Sequence, residues 1–181
     1  MKMFVPSEFE PSAMSEIVAA LIDPNGGRDG VPASIRAAFV RDDFDVGSVV
    51  WATLAERSNV QRQDTLPSFV SLRACEVGGS YAARLLDSLV ELVPDRMRTR
   101  VRYSQFAPPN LLLTTFVAVG RRTGLALLHV HEPRLMAASG ASAATALKCV
   151  LRCAAQLKCG VLLTGTSLDA AFLARHFRAK Y

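Results

Sequence analysis

His129, His131 and Glu132 are the residues of this chain whose types and spacing best suit them to chemistry. The two imidazoles stand two apart in an apolar run, so in a strand they share one face, and the carboxylate follows directly. Such a group can take a proton from a substrate amine, directly or through water, or ligate a metal. A purely structural role for the histidines is the competing reading. Just downstream, Ala137-Ala138-Ser139-Gly140-Ala141-Ser142 opens a long helical pattern running to Cys159, and a second apolar run, Val161-Leu162-Leu163-Thr164, follows. Strand, small-residue turn, helix, strand puts unpaired helix amides and the positive end of the helix dipole at the edge of a sheet. There they attract an anion such as a pyrophosphate. The same small residues also suit close packing of helix on strand, and no lysine or double-glycine fingerprint accompanies them.

A second constellation is cationic. Arg96, Arg98, Arg100 and Arg102 alternate with Met97, Thr99, Val101 and Tyr103. In a strand this aligns four guanidiniums on one face, about 6.5 to 7 Å apart, a spacing suited to successive phosphates or to a row of carboxylates. Acidic groups such as Asp42, Asp43 and Asp45, an acidic protein partner, a second copy of the chain and nucleic acid are the alternatives; a solvated strand face is the plain one. Cys149 and Cys153 share a helical face, but no second close Cys/His pair completes a tetrahedral site, so the cysteines read as small core hydrophobes and no metal is expected. His176, on the last helical pattern, reads as a surface or interfacial residue. Nothing resembles the strained Gly-x-Ser-x-Gly elbow of a serine hydrolase.

The elements that must position these residues follow from periodicity. Met14, Ile17, Val18 and Leu21 mark a helix opened by Pro11-Ser12 and stopped by Asp23-Pro24-Asn25-Gly26-Gly27. Pro32 suits the start of a second helix carrying Ile35, Ala38 and Phe39, and Val49 to Leu54 has strand composition. Phe69 to Ala74 reads as a strand, Tyr81 to Leu92 as a helix, and Met97 to Tyr103 as the arginine strand. Leu111 to Val119 and Leu125 to His131 read as a hairpin joined at Gly120-Arg121-Arg122-Thr123-Gly124. A helix over Leu168 to Lys180 closes the order, which is that of an α/β or α+β mixed sheet.

The chain has 181 residues, half of them apolar and a fifth charged, enough for one domain with a sizeable core. Its charge is uneven: residues 1 to 66 hold 6 Lys/Arg against 10 Asp/Glu, and residues 67 to 181 hold 15 against 6. The division predicts an acidic N-terminal extension over 1–66 and a basic core over 67–181, which meets an anionic partner or docks against the acidic part of its own or another copy. No apolar run approaches the roughly 18 to 20 residues that cross a bilayer, and Glu8 and Glu10 stand against a signal peptide. A cytoplasmic location without membrane attachment is the expectation, and reduced thiols suit it.

The element order resembles the GNAT N-acetyltransferase family. Val70-Ser71-Leu72-Arg73-Ala74 resembles its opening strand, Ala82 to Leu92 its first helix and Leu111 to His131 its strand meander. Val130-His131-Glu132-Pro133-Arg134 with Gly140-Ala141-Ser142 and Leu147 resembles the Arg/Gln-x-x-Gly-x-Gly/Ala loop, and Phe172 to Tyr181 the last helix. Arg134 lies six residues before Gly140, and Ser142 replaces the second glycine. Neither the asparagine after the following strand, where Ser167 or Asp169 is nearby, nor the usual tyrosine of the last helix is in place. In a second register Gly78-Gly79-Ser80-Tyr81-Ala82 is the pyrophosphate loop. The order from Tyr81 to Ala155 is also that of a double-stranded RNA-binding domain, without its paired lysines. The GNAT resemblance implies an N-acyltransferase using acetyl-coenzyme A or another acyl-coenzyme A on an amine of a small molecule or protein. Ala138, Ser139, Gly140, Ala141 and Ser142 would hold the pyrophosphate, the strand edge at Val130 the pantetheine, and Glu132, His131 or His129 the amine proton. The alternative is the same core without catalysis, a binding or assembly module.

Overall fold

A computed structural model describes residues 3–4, 11–22, 37–41, 52, 68–73, 80–93, 98, 101–136, 142–177 and 179–180. Their centre is a six-stranded sheet built from β1 (Met3–Phe4), β2 (Ala37–Arg41), β3 (Ser68–Arg73), β4 (Leu125–His131), β5 (Gly160–Gly165) and β6 (Ala179–Lys180). The strand order is β3-β4-β5-β2-β1-β6, and every neighbouring pair is parallel. A parallel sheet needs crossovers that cover its faces, so its inner strands read as continuous apolar runs. β5 is buried at all six of its residues, and β4 is buried at Leu125 and from Leu127 to Val130. This is an α/β protein.

The crossovers form two layers. On one face lie α2 (Tyr81–Glu91), α3 (Pro109–Thr123), α4 (Ala143–Leu157) and α5 (Ser167–His176). Leu85, Leu89, Leu112, Phe116, Leu147, Val150 and Leu173 of these helices share one core with Phe39, Leu128, Val130, Val161 and Leu163 of the sheet. On the other face α1 (Pro11–Ile22) buries Ile17, Val18 and Leu21, and Gly160 lies so close to Leu21 that a Cβ there would stand 2.8 Å from the Leu21 Cβ. The chain steps one way through β3, β4 and β5 and the opposite way from β1 to β2. The two progressions meet between β5 and β2, the kind of junction whose carboxyl edge opens a crevice in parallel sheets.

Several expected elements stand: α1, β3, α2, β4, α4 and β5. Others are corrected. Leu111 to Val119 is helix, not the first arm of a hairpin. Its Leu, Thr, Phe and Val content suits a strand, but the buried positions Leu112, Leu113, Phe116, Val117 and Gly120 recur at helical spacing, with Val119 buried beside them. The presumed hairpin turn is the last turn of this helix. Gly120 admits Leu157, 3.1 Å from where its Cβ would be, and Gly124 ends the helix at φ 64°. The meander on which the GNAT resemblance leaned is therefore not formed, and neither are the three strands of an RNA-binding domain. Ala37 to Arg41 is strand rather than helix, because pairing along β5 overrides the local pattern. The acidic first part thus contributes β1 and β2 to the sheet that also carries the basic part. The last helix ends at His176, before a two-residue strand. Val49 to Leu54 lies outside the described residues except Ala52, which is helical.

Candidate functional site

Three polar or charged side chains are buried among the described residues, His129, Thr164 and Asp169, and all three stand toward the carboxyl ends of β4 and β5. Parallel register sets His129 beside Leu162 and His131 beside Thr164. The Thr164 hydroxyl lies 2.7 Å from His129 Nε2 and 3.0 Å from His131 Nδ1. A hydroxyl owns one proton, so when Thr164 donates to one imidazole it must accept from the other. The tautomers of the two histidines are thereby coupled through a buried oxygen. The other nitrogen of His131 lies 3.8 Å from Glu132 Oε2, and about a quarter of the His131 side chain is exposed.

β4 ends where Glu132 adopts φ 49°, a left-handed conformation uncommon for a side chain with a Cβ. The Glu132 amide donates to the Thr164 carbonyl at 2.8 Å, and a single 3-10 turn, Pro133–Leu135, then carries Arg134 back over the edge. There Arg134 meets Asp169, which is fully buried. The Asp169 carboxylate accepts from the Arg134 amide at 3.1 Å, the Thr166 amide at 2.9 Å and the Thr166 hydroxyl at 3.0 Å. Thr166 and Asp169 form a capping box on α5. Gly165 leaves the room this needs, since a Cβ there would lie 2.6 Å from the carboxylate. The Arg134 guanidinium stands 3.5 Å from Asp169 and 4.0 Å from Glu132, and its buried Nε makes no hydrogen bond. The mouth of the site therefore offers a base pair of groups, His131 and Glu132, beside a cation whose donors are not all used.

His129, His131 and Glu132 are brought together as their spacing suggested. Val130 is not an edge: it pairs with Leu72 on one side and Leu163 on the other, so its backbone has no free side for a pantetheine arm. Ala138, Ser139, Gly140 and Ala141 lie outside the described residues. Ser142 caps α4, accepting from the Thr145 amide at 3.3 Å. The described residues of the arginine stripe do not form a strand. Arg98 is helical and residues 101 to 104 are irregular, while Arg96 and Arg100 lie outside the described residues. Arg98 donates to the carbonyls of Glu91 at 2.7 Å and Val93 at 3.4 Å, closing the C-terminal end of α2; Arg102 is exposed. His176 is exposed and stacks on Phe172, with ring centroids 5.0 Å apart. Thr164, Arg134 and Asp169 were not among the expected site residues. The Thr166-x-x-Asp169 spacing is a capping-box signature that could have flagged the last.

Elsewhere the titratable groups are shifted by burial. The Cys153 thiol is pushed up to about 11 and Cys159 to about 12, which keeps both protonated and inert at neutral pH. Burial also pushes the Tyr81 and Tyr103 phenols up, with Cys149 beside the first and Asp87 hydrogen-bonded to the second. Among the described residues no three His, Cys, Asp or Glu side chains group as a metal site would need, and no helix is long and apolar enough to cross a membrane. No protein-family model matches the chain, and no curated protein matches its sequence.

Proposed function

We propose that the carboxyl edge of β4 and β5 is a general acid–base site for an anionic small molecule. Arg134 holds the anion, His131 with Glu132 exchanges the proton, and His129 and Thr164 set the tautomer of His131 from behind. The observation that carries this reading is the gathering of every buried polar side chain of the described residues at this one edge. A sheet stabilised only by packing has no need of two imidazoles and a carboxylate there, because each must be desolvated and then satisfied. The left-handed Glu132 supports the same reading, since such backbone is concentrated at functional sites.

Acyl transfer from an acyl-coenzyme A to an amine is the specific form the family resemblance suggests. In that reaction the amine nitrogen bonds to the thioester carbonyl and the coenzyme leaves as a thiolate. The amine proton passes to His131 or Glu132 and from there to the thiolate. The pantetheine arm would have to lie elsewhere than along Val130. Binding without turnover, as in an assembly module, is the contrasting outcome.

The test is calorimetric titration of the full chain with acetyl-coenzyme A, coenzyme A and inorganic phosphate, repeated for Arg134→Gln and His131→Gln. The proposal expects heat with at least one anion, a loss of at least about tenfold in affinity in Arg134→Gln, and proton exchange with buffer that His131→Gln abolishes. Release of free thiol in the presence of an amine supports acyl transfer; heat without release supports a binding module. No heat with any of the three at millimolar concentration overturns the site.

A further inference from the structure

A groove outside this edge also has the makings of a site. The solvent side of the contact between α3 and α4 holds an open groove of about 390 Å³, within the range of small-molecule sites. On α3 it runs from Asn110 to Arg121, about 16 Å at the 1.5 Å rise of a helix. Its floor is apolar: Leu113, Val117 and Cys153 line it and are nearly buried. Arg121 lines it from the last turn of α3, next to Gly120, where Leu157 of α4 packs against α3. Arg152 lines the groove from α4, about 7 Å up the helix from Leu157. Among the described residues neither arginine makes an ion pair, and no Asp or Glu lines the groove. Arg121 and Arg152 thus place two positive charges, one from each helix, at the rim of an apolar trough, and an anion between them would relieve their repulsion.

We propose that this groove binds a fatty carboxylate. Its head is held by Arg121 and Arg152 in the bidentate manner arginine uses for carboxylates, and its alkyl chain lies along Leu113, Val117 and Cys153. The charge complementarity fixes the sign of the ligand, and the elongated apolar floor fixes the rest of its character. A rigid planar anion would leave the floor wet, and a neutral lipid would leave both guanidiniums unpaired. The site is independent of the acid–base edge, because none of its lining residues belongs to that cluster.

Cys149 provides the readout. It lines the groove and is half-buried, whereas Cys153 and Cys159 are buried. The experiment measures alkylation of Cys149 in the full chain by mass spectrometry, with decanoate, decanol and decylammonium added as monomers. Decanoate should slow the reaction at least about fivefold, and calorimetry should give a matching affinity; decanol and decylammonium should do far less. Arg121→Gln with Arg152→Gln should weaken decanoate binding by at least about tenfold, and Ala118→Trp, which fills the trough from an exposed position, should abolish it. Circular dichroism and melting temperature show that each variant folds. Three results would overturn the proposal: no protection at millimolar decanoate, equal protection by decanol, or undiminished binding by the double glutamine variant.

Discussion

Asp169→Asn gives the sharpest check on how the acid–base edge is held. The carboxylate is wholly buried and takes two donors from Thr166 on one oxygen and the Arg134 amide on the other. An asparagine that keeps its carbonyl oxygen toward Thr166 presents an NH2 to the Arg134 amide, donor against donor. One charge-assisted hydrogen bond is then lost, about 1.5–3 kcal/mol, and one buried donor is left unsatisfied, about 1–3 kcal/mol. The Arg134 guanidinium also loses the nearer of its two carboxylates and keeps only Glu132, at 4.0 Å. A total near 3–4 kcal/mol corresponds, for a chain of this size, to a fall in melting temperature of roughly 6–15 °C. Thr166→Ala removes the hydroxyl donor and the cap but leaves the carboxylate its two amides, so it should cost only about 1–2 kcal/mol. Calorimetry and urea unfolding measure both. A shift under about 2 °C for Asp169→Asn would refute the claim that this carboxylate organises the edge, and so would a larger loss for Thr166→Ala.

Other outcomes follow from particular contacts. Gly160→Ala should cost about 1–3 kcal/mol or more in urea unfolding, because the new Cβ meets the backbone of Leu21 as well as its side chain. Gly124→Ala meets nothing within 4 Å and should cost only the left-handed penalty, about 1–2 kcal/mol. Arg98→Gln should lower stability by about 0.5–1.5 kcal/mol through loss of the bonds to Glu91 and Val93, seen as fraying of α2 in hydrogen exchange. Cys153 and Cys159 have folded values raised from the ordinary 9.0 to about 11 and 12, so the unfolded chain ionises first. The stability they contribute is complete below pH 9 and is lost as pH rises toward 11 to 12; melting curves across that window should fall, and less steeply in Cys153→Ala.

The parts of this fold that can be read from sequence are those where local pattern and tertiary context agree. The unit from Leu125 to Gly165 is legible because an apolar run, a helix with Ala146, Leu147, Val150 and Leu151 on one face, and a second apolar run each have one natural state. Its first strand carries His129 and His131, so their shared face was legible as well. Leu111 to Val119 was not. Its apolar residues satisfy both periods over a short window, and only the packing of Phe116 and the admission of Leu157 at Gly120 decide for helix. Ala37 to Arg41 shows the reverse, a helix-like pattern drawn into the sheet by its neighbour β5. The arginine alternation misled because a period of two over so few residues also arises by chance; Arg98 has its carbonyl partners at Glu91 and Val93, at and just past the end of α2, instead.

The partners of the histidines were hidden for a different reason. Thr164 lies 33 residues from His131 and 35 from His129, and Asp169 the same 35 from Arg134. Only the parallel register of β4 on β5 brings these pairs together, and register is a property of two strands that neither strand displays alone. That same register is what removes Val130 as a binding edge while delivering His131 to the rim. Pairing on both sides consumes the backbone of β4, so recognition at this site must come from side chains, and the side chains at the rim are an imidazole, a carboxylate and a guanidinium. On the proposed reading, such a site would select its ligand by charge and proton affinity rather than by strand addition. For that reason an anion with an ionisable neighbour is a better match to this edge than an extended peptide or a pantetheine arm laid along the strand.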